Sequence, residues 1–338
     1  MARTVARRES RRRLRWPADA PRVGIHLGVG QGLLKAARRA REIGATALQI
    51  FSDNPTAWRR RPEPPRDAPQ FVAYCRAHGI APISIHASYL VNLAGRVEPF
   101  ASQSRQLLIH ELRTAPAFGA YLVNTHIGSH RGTGHQAGLR RIVEGVHAIL
   151  AETPRETTLV LENSAGGGDN IGSTIEELAE ILEGVAATST ASAQRLAFCL
   201  DTAHLWGAGH DISTAEGATG VIDRFAELIG LDRLRLVHLN DSRSELGSRT
   251  DRHEHVAGGR IGPEGMRALL TDPRLCAGTA FMLETPGVDE GYDAINMRRT
   301  WLLYHGQPLP ALPARAFTLH RRSTRVGPGL GRRTVSGG

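Results

Sequence analysis

Cysteine is scarce in this 338-residue chain. The three present, Cys75, Cys199 and Cys276, are odd in number and far apart, which excludes a disulfide framework or a zinc-ribbon spacing. Cys199 falls in an apolar strand and reads as a small core residue. Long apolar runs are missing too, since none approaches the roughly 20 residues that a membrane helix needs. The Arg-rich start is followed by no apolar stretch of the kind a secretory signal requires, so no such signal is expected. Reduced thiols without export point to a cytoplasmic protein. A dinucleotide fingerprint is also lacking. Gly28-Val29-Gly30-Gln31-Gly32 is not GxGxxG, and no acid closes the second strand where a ribose would need it.

Acidic residues are unevenly missing. Residues 306–338 hold six Arg and no acid, and residues 1–22 hold eight Arg against Glu9 and Asp19. Each end therefore carries +6, and the overall +9 leaves −3 for residues 23–305. The ends show no convincing period and are expected to be flexible basic extensions, 306–338 being rich in Pro, Gly and Arg. The middle is mildly acidic until something cationic fills it. A hydrophobic share of 41% is enough for a sizeable core there.

What is present is a regular alternation. Short apolar runs at 23–28, 47–51, 83–85, 121–125, 158–161, 196–200, 234–237 and 279–283 predict eight strands. Helical spacing follows each: 33–43, 69–78, 99–118, 139–150, 173–185, 214–229, 263–270 and 292–304. Ser173 with Glu176 predicts a capping box, and Pro263 suits a first helical turn. Eight strand–helix units in this length predict a single α/β domain over 23–305, a parallel (β/α)8 barrel, with an open α/β sheet as the alternative.

Chemistry sits at the strand ends. Strands three to eight end in His86, His126, Glu162, Asp201, His238 and Glu284, at gaps of 40, 36, 39, 37 and 46 residues. In a barrel these ends converge on one face. His204 follows Asp201 closely, and Asp251 and His253 stand two apart in the polar loop after His238, so in extended backbone they point the same way. A single such His is usually structural. Nine ligands, five His and four carboxylates, exceed one tetrahedral ion and suit three with a shared carboxylate. Four carboxylates and three divalent ions leave a charge near +2, which suits a phosphodiester.

In these residues and the motifs around them, the sequence resembles the endonuclease IV family of zinc-dependent apurinic/apyrimidinic endonucleases. The resemblance spans about 23–304. It is carried by IHASYLVNL, NTHIGSH, LENSAGGG, CLDTAHLWGAGHD, VHLNDSR, GSRTDRHEHVAGGRIG and LET. It implies a xylose-isomerase-like TIM barrel in which Glu162 bridges two ions. His86 and His126 would complete one; Asp201, His238 and Glu284 the other. His204, Asp251 and His253 would hold the third. The ions expected are zinc, about three per chain, with manganese as an alternative at one or more sites. The implied reaction is metal-assisted hydrolysis of DNA 5′ to an abasic site, leaving a 3′-hydroxyl and a 5′-deoxyribose phosphate, with no separate side-chain base.

The partner implied is double-stranded DNA containing abasic sites, met by a monomer away from any membrane. Tyr89 and Leu90 match family residues that fill the gap in the distorted duplex; a loop packing anchor is the alternative. The 55–66 loop departs from the family, because Thr56 stands where some members insert an Arg. Trp58, Arg59, Arg60 and Arg61 are substitutes there, unless the Arg run is simply solvated. Gly166–Gly168 is expected to let its loop pass close to substrate, and His26, His130, His210 and His255 are unassigned mouth histidines. Two rivals are weighed: a single-metal sugar isomerase or epimerase on Glu162, Asp201, His238 and Glu284, and a non-catalytic DNA-binding protein using its Arg tails. The first has no need of His86/His126 or His204/Asp251/His253; the second would not require all nine.

Overall fold

A computed structural model describes residues 14–319. Eight parallel strands close into a barrel. They are β1 (Arg22–His26), β2 (Ala47–Ile50), β3 (Ile83–His86), β4 (Leu122–His126), β5 (Thr158–Glu162), β6 (Leu196–Asp201), β7 (Leu234–His238) and, after a two-stranded hairpin of β8 (Asp241–Ser242) and β9 (His253–Glu254), β10 (Ala280–Leu283). The order around the barrel is β1-β10-β7-β6-β5-β4-β3-β2. The (β/α)8 expectation holds, and the open sheet is excluded by the β1–β10 pairing of Val23 with Phe281.

Alternate residues of a strand face the same way. A small cluster of Ala47, Leu122, Val160, Ala197, Cys199, Leu236, Ala280 and Met282 forms an interior layer. In six of the eight strands the residue two steps further on is Gln49, Asn124, Glu162, Asp201, His238 or Glu284. The parity that packs the barrel below therefore aims polar groups into its mouth above. Gly24 is required by this closeness, because a Cβ there would lie 2.5 Å from the Ala47 carbonyl and 2.7 Å from Met282 Sδ.

The outer helices bury the stripes that periodicity predicts. In α1 (Leu33–Glu42), Leu33, Ala36, Ala37 and Ala40 face inward. Arg39 on its outer side grips Asp293 of the last α-helix, Tyr292–Tyr304, with bonds of 2.6 and 2.7 Å. This bidentate pair ties the first helix to the last. The capping box stands one residue later than predicted. Thr174 accepts from Glu177 N at 3.2 Å, and Glu177 Oε2 accepts from Gly172 N and Ser173 N. The predicted helix at 99–118 is an α-helix only over Phe100–Thr114, then tightens to a 3₁₀ turn at Ala115–Phe118, with Gly119 left-handed.

Parts of the extensions are not free. Leu14 packs at Gly44, Trp16 Nε1 donates to Gly44 O at 3.0 Å, and Trp301 Nε1 donates to Arg15 O. Residues 306–319 lie along the barrel, where Arg299 Nη1 donates to Pro310 O at 2.6 Å and Ala316 is fully buried. Buried donors needing acceptors hold these stretches down, which composition does not reveal. Residues 1–13 and 320–338 lie outside the described residues. No helix among the described residues is long and apolar enough to cross a membrane.

Candidate metal centre

The nine expected ligands meet at the C-terminal mouth of the barrel. His86, His126 and Glu162 form one group, Glu162, Asp201, His238 and Glu284 a second, and Asp201, His204 and His253 a third. Asp251 joins the third through Oδ2 at 3.2 Å from His204 Nε2 and Oδ1 at 3.1 Å from His253 Nε2. Asp201 reaches further than expected, its Oδ2 lying 3.4 Å from His253 Nε2.

Glu162 is central. Its Oε2 lies 3.5 Å from His86 Nε2 and 3.8 Å from His126 Nε2, and its Oε1 lies 3.3 Å from His238 Nδ1. Its two oxygens thus face two different groups, as a bridging carboxylate requires. A further grouping brings Cys199 near Glu162 and His238. Burial pushes that thiol up to about 12, so it stays a thiol and a core residue.

Whether the residues fit cations can be read from their lone pairs. His86 Nδ1 donates to Ala87 O, His204 Nδ1 to Asn163 O, His253 Nδ1 to Glu284 O, and His238 Nε2 to Gln49 Oε1. Each ring is thereby held with its other nitrogen aimed at the cluster, the usual setting of a metal-ligating His. Glu162 Oε1, His238 Nδ1 and His253 Nε2 are buried and make no hydrogen bond among the described residues. Buried polar atoms left so are costly. They fit ions.

The protonation balance agrees. Burial opposes charge on His204, but Asp201, Asp251 and Glu162 outweigh it and push its pKa up to about 10. His253 and His238 are raised well above the usual imidazole value against the same burial, by Asp201 and Asp251 in one case and by the facing carboxylates Glu284 and Glu162 in the other. Glu162, Asp201, Asp251 and Glu284 are all held low, burial being overcome by the facing histidines. Without ions, protons carry the positive charge the carboxylates demand.

Three supporting residues are absent from the set that the sequence predicts. Gln49 donates to Glu284 Oε1 at 2.6 Å while its carbonyl accepts from Ser84 and His238. Asn124 donates to Glu162 Oε2 at 2.6 Å, and Asn240 to Asp201 Oδ2 at 2.7 Å. The signal was available for the first two: an amide directly after the apolar residues that open a strand, near its end and on the lumen parity.

The mouth loops carry the other expected residues. Tyr89 is 61% exposed, beside Phe51, His86 and His126 at ring distances of 5.3, 5.8 and 6.4 Å. Such exposure is not that of a packing anchor. Leu90, half-buried, lines the same mouth cavity as Glu162, His204 and Asp251. Ser88 Oγ donates to Pro55 O at 2.6 Å, tying this loop to the 55–66 loop. There Trp58 lies against Phe100, and Arg59 is exposed. Arg60 corrects the expectation. Its guanidinium turns inward with a 7% exposed side chain, bonded to Asn54 O and Ala57 O and 3.8 Å from buried Glu111. Glu111, deep in α-helical packing, needs a cation more than the surface does.

The glycine run lines the mouth cavity at Gly167. A Cβ on Gly167 would stand 2.8 Å from Arg249 O, so the run lets two mouth loops touch. Of the unassigned histidines, His26 faces the site cavity 3.4 Å from Glu284. His130 lies 3.9 Å from Asp169, and His210 donates to Ser173 O. His255 is wholly buried.

The profile of the xylose isomerase-like TIM barrel family matches residues 37–302 of this chain. A probable endonuclease 4 of Chloroflexus aurantiacus is 38% identical over 280 residues, covering 82% of this chain and 96% of its own. A probable endonuclease 4 of Geobacter sulfurreducens is 37% identical over 277 residues, covering 81% and 92%. The crystal structure of endonuclease IV from Thermus thermophilus superposes with a TM-score of 0.71 at 38% identity, over 83% of this chain and 99% of that one. A D-tagatose 3-epimerase-like protein, at 15% identity and a TM-score of 0.60, shares the fold alone.

Proposed function

The chain belongs to the endonuclease IV group of the xylose isomerase-like TIM barrels, and on that premise we propose that it cuts duplex DNA 5′ to abasic sites through three zinc ions. The products would be a 3′-hydroxyl and a 5′-deoxyribose phosphate. It is an apurinic/apyrimidinic endonuclease of DNA repair, which we place in the cytoplasm, acting as a monomer on chromosomal DNA. The observation that carries the reading is the gathering of nine ligands at one mouth, four of whose imidazoles are aimed at the cluster by bonds on their far sides.

Divalent ions there would supply Lewis acidity to activate water and neutralise phosphoryl oxygens. The rest is the chain's own work. Glu162 holds its two oxygens apart toward two ligand groups, steadied by Asn124. Gln49 and Asn240 keep Glu284 and Asp201 from swinging out. Tyr89 and Leu90 stand beside the pocket, where large groups can fill a vacated stack and hold the sugar toward the mouth.

Metal-stripped protein at pH 7 is expected to take up three zinc ions per chain and to release protons, since His204, His238 and His253 hold theirs above neutrality. The sign follows from raised folded pKa values. Their stabilisation of the metal-free fold is complete below the unfolded value of 6.5 and is lost as pH rises toward about 10 for His204. Zinc uptake strengthens over the same rise. Calorimetry in buffers of different ionisation enthalpy, with elemental analysis, reads both. One ion with full activity would sink the three-ion reading and favour the sugar isomerase.

Tyr89→Ala combined with Leu90→Ala should reduce discrimination between abasic and intact duplex with metal content unchanged. Competition binding measures it, and unchanged discrimination would return both residues to packing.

The chain ends also divide. Residue 14 sits at Gly44, in the turn leading into β2 and so at the closed end of the barrel. Leu319 sits at Gly287, three residues beyond Glu284, on the catalytic face. Residues 320–338 hold five Arg. Deleting them should flatten the log–log salt dependence of DNA binding by about 0.9 for each phosphate no longer neutralised. Deleting 1–13 should flatten it less, with saturated turnover unchanged in both. Equal slopes in all three proteins would mean that neither end touches DNA.

A further inference from the structure

The family match ends at Leu302, but the described chain goes on. Residues 306–319 leave the lower end of the last α-helix and climb the outside of the barrel to its mouth. Gly306 lies beside Arg267, Leu312 beside Gly258, and Leu319 beside Gly287. Between this strap and the barrel remains a cavity of about 550 Å³, lined by Arg267, Arg299, Leu309 and Phe317 among others. The strap is therefore held by discrete contacts rather than continuous packing.

Those contacts converge on the loop that carries Asp251 and His253. His255 is wholly buried; its Nδ1 accepts from Asn296 Nδ2 at 2.9 Å, so its Nε2 carries the proton and donates to Ala316 O of the strap at 3.3 Å. Tyr292 and Phe317 flank its ring at 4.9 and 6.1 Å. Arg299 joins the two segments with one guanidinium. Nε donates to Val256 O at 2.7 Å, Nη2 to Ala257 O at 3.1 Å, and Nη1 to Pro310 O at 2.6 Å. Ala257 has a φ of +50°, a left-handed turn that a non-glycine residue keeps only when held.

The inner side of the same loop is held separately. The Asp241 carboxylate accepts from the backbone N–H of Gly259, Ile261 and Gly262. Residues 255–257 have no such three-bond clamp among the described residues: Val256 packs into the core and His255 N donates to Glu254 Oε1, while their remaining side-chain partners are the last α-helix and the strap. At its far end, Leu319 against Gly287 touches the segment after Glu284, whose carbonyl accepts from His253 Nδ1.

We propose that residues 306–319 are a positioning element for the Asp251/His253 side of the metal centre. They fix the 255–257 turn and thereby the reach of His253 Nε2. The inference rests on the three-ion reading above. It differs from a merely structural role in its target: one ion of the three should loosen, and the other two should not. Supporting partners of metal ligands are commonly worth about 10- to 100-fold in metal affinity.

The test compares three purified proteins: the full chain, 1–319, and 1–305. Zinc per chain is measured by elemental analysis across a chelator series, and hydrogen exchange is followed over 251–258. The full chain and 1–319 should keep three zinc ions to the same chelator concentration. Chain 1–305 should lose one of the three at a chelator concentration about 10- to 100-fold lower, with faster exchange in 251–258 and the other two ions retained. A folded 1–305 that keeps three ions as tightly as 1–319 overturns the proposal. A full chain that never holds three overturns the earlier reading instead. Should 1–305 not fold, His255→Phe in the full chain keeps the ring between Tyr292 and Phe317 but loses the bonds to Ala316 and Asn296. The same selective loss of one ion is expected there, and unaltered zinc retention again overturns the proposal.

Discussion

Glu162→Gln is expected to lower abasic-site cleavage by several orders of magnitude while the barrel stays folded. The carboxylate is buried at the end of β5 among His86, His126 and His238, with its two oxygens turned to different ligand groups. An amide has the same shape but only one oxygen and no charge. Its NH2 would face either Asn124 Nδ2 or a ring nitrogen that also presents itself to a cation. Two ions held by one anion would then repel each other without relief. Each 1.4 kcal/mol of lost barrier stabilisation is about tenfold in rate, so a deficit of about 4–5 kcal/mol gives roughly a thousandfold or more. Single-turnover nicking of a duplex with one abasic site measures this, beside elemental analysis and a thermal melt. A variant that melts normally and cuts near the wild-type rate would place Glu162 outside the chemistry.

The second large effect is expected at Gln49, which is not a ligand. Gln49→Leu preserves approximate volume but removes four bonds at once, one of them from Gln49 Nε2 to His26 Nδ1. Glu284 Oε1 loses its donor, and Ser84 Oγ and His238 Nε2–H lose their acceptor. The His238 ring is then no longer obliged to keep Nδ1 free for the cluster. Zinc affinity should fall by about 10- to 100-fold, and kcat/KM with it at limiting zinc. Stranding each buried partner costs about 1–3 kcal/mol, so the metal-free form should also melt lower. Excess zinc should restore much of the activity. An unchanged chelator profile would show that neighbouring packing alone orients His238.

Much of this protein is set by its own local order. The strands are apolar because both faces are covered, the helices bury residues at three- and four-step spacing, and the repeat of about 40 residues returns each strand end to one face. Residues such as His86, Glu162 and Asp201 at those ends were legible because strand parity and repeat length are short-range properties. They survive in a linear text. The resemblance to endonuclease IV rests on those same residues.

What tertiary structure decided are matters of partner choice. Arg60 stands in an Arg triplet that looks solvated or DNA-facing, yet it turns in because Glu111, 51 residues away in sequence, is buried beneath it. Thr174 rather than Ser173 caps its helix, since Glu177 can reach back to two N–H groups only from that register. Residues 306–319 carry no periodicity and read as loose, but buried Arg299 and His255 find acceptors there. Gln49 looks like a flaw in an apolar strand until barrel closure sets it between Ser84, His238 and Glu284. Periodicity declares which way a side chain points. Only closure of the chain brings the distant donor or acceptor that satisfies it, and a buried polar group takes whichever partner that closure supplies.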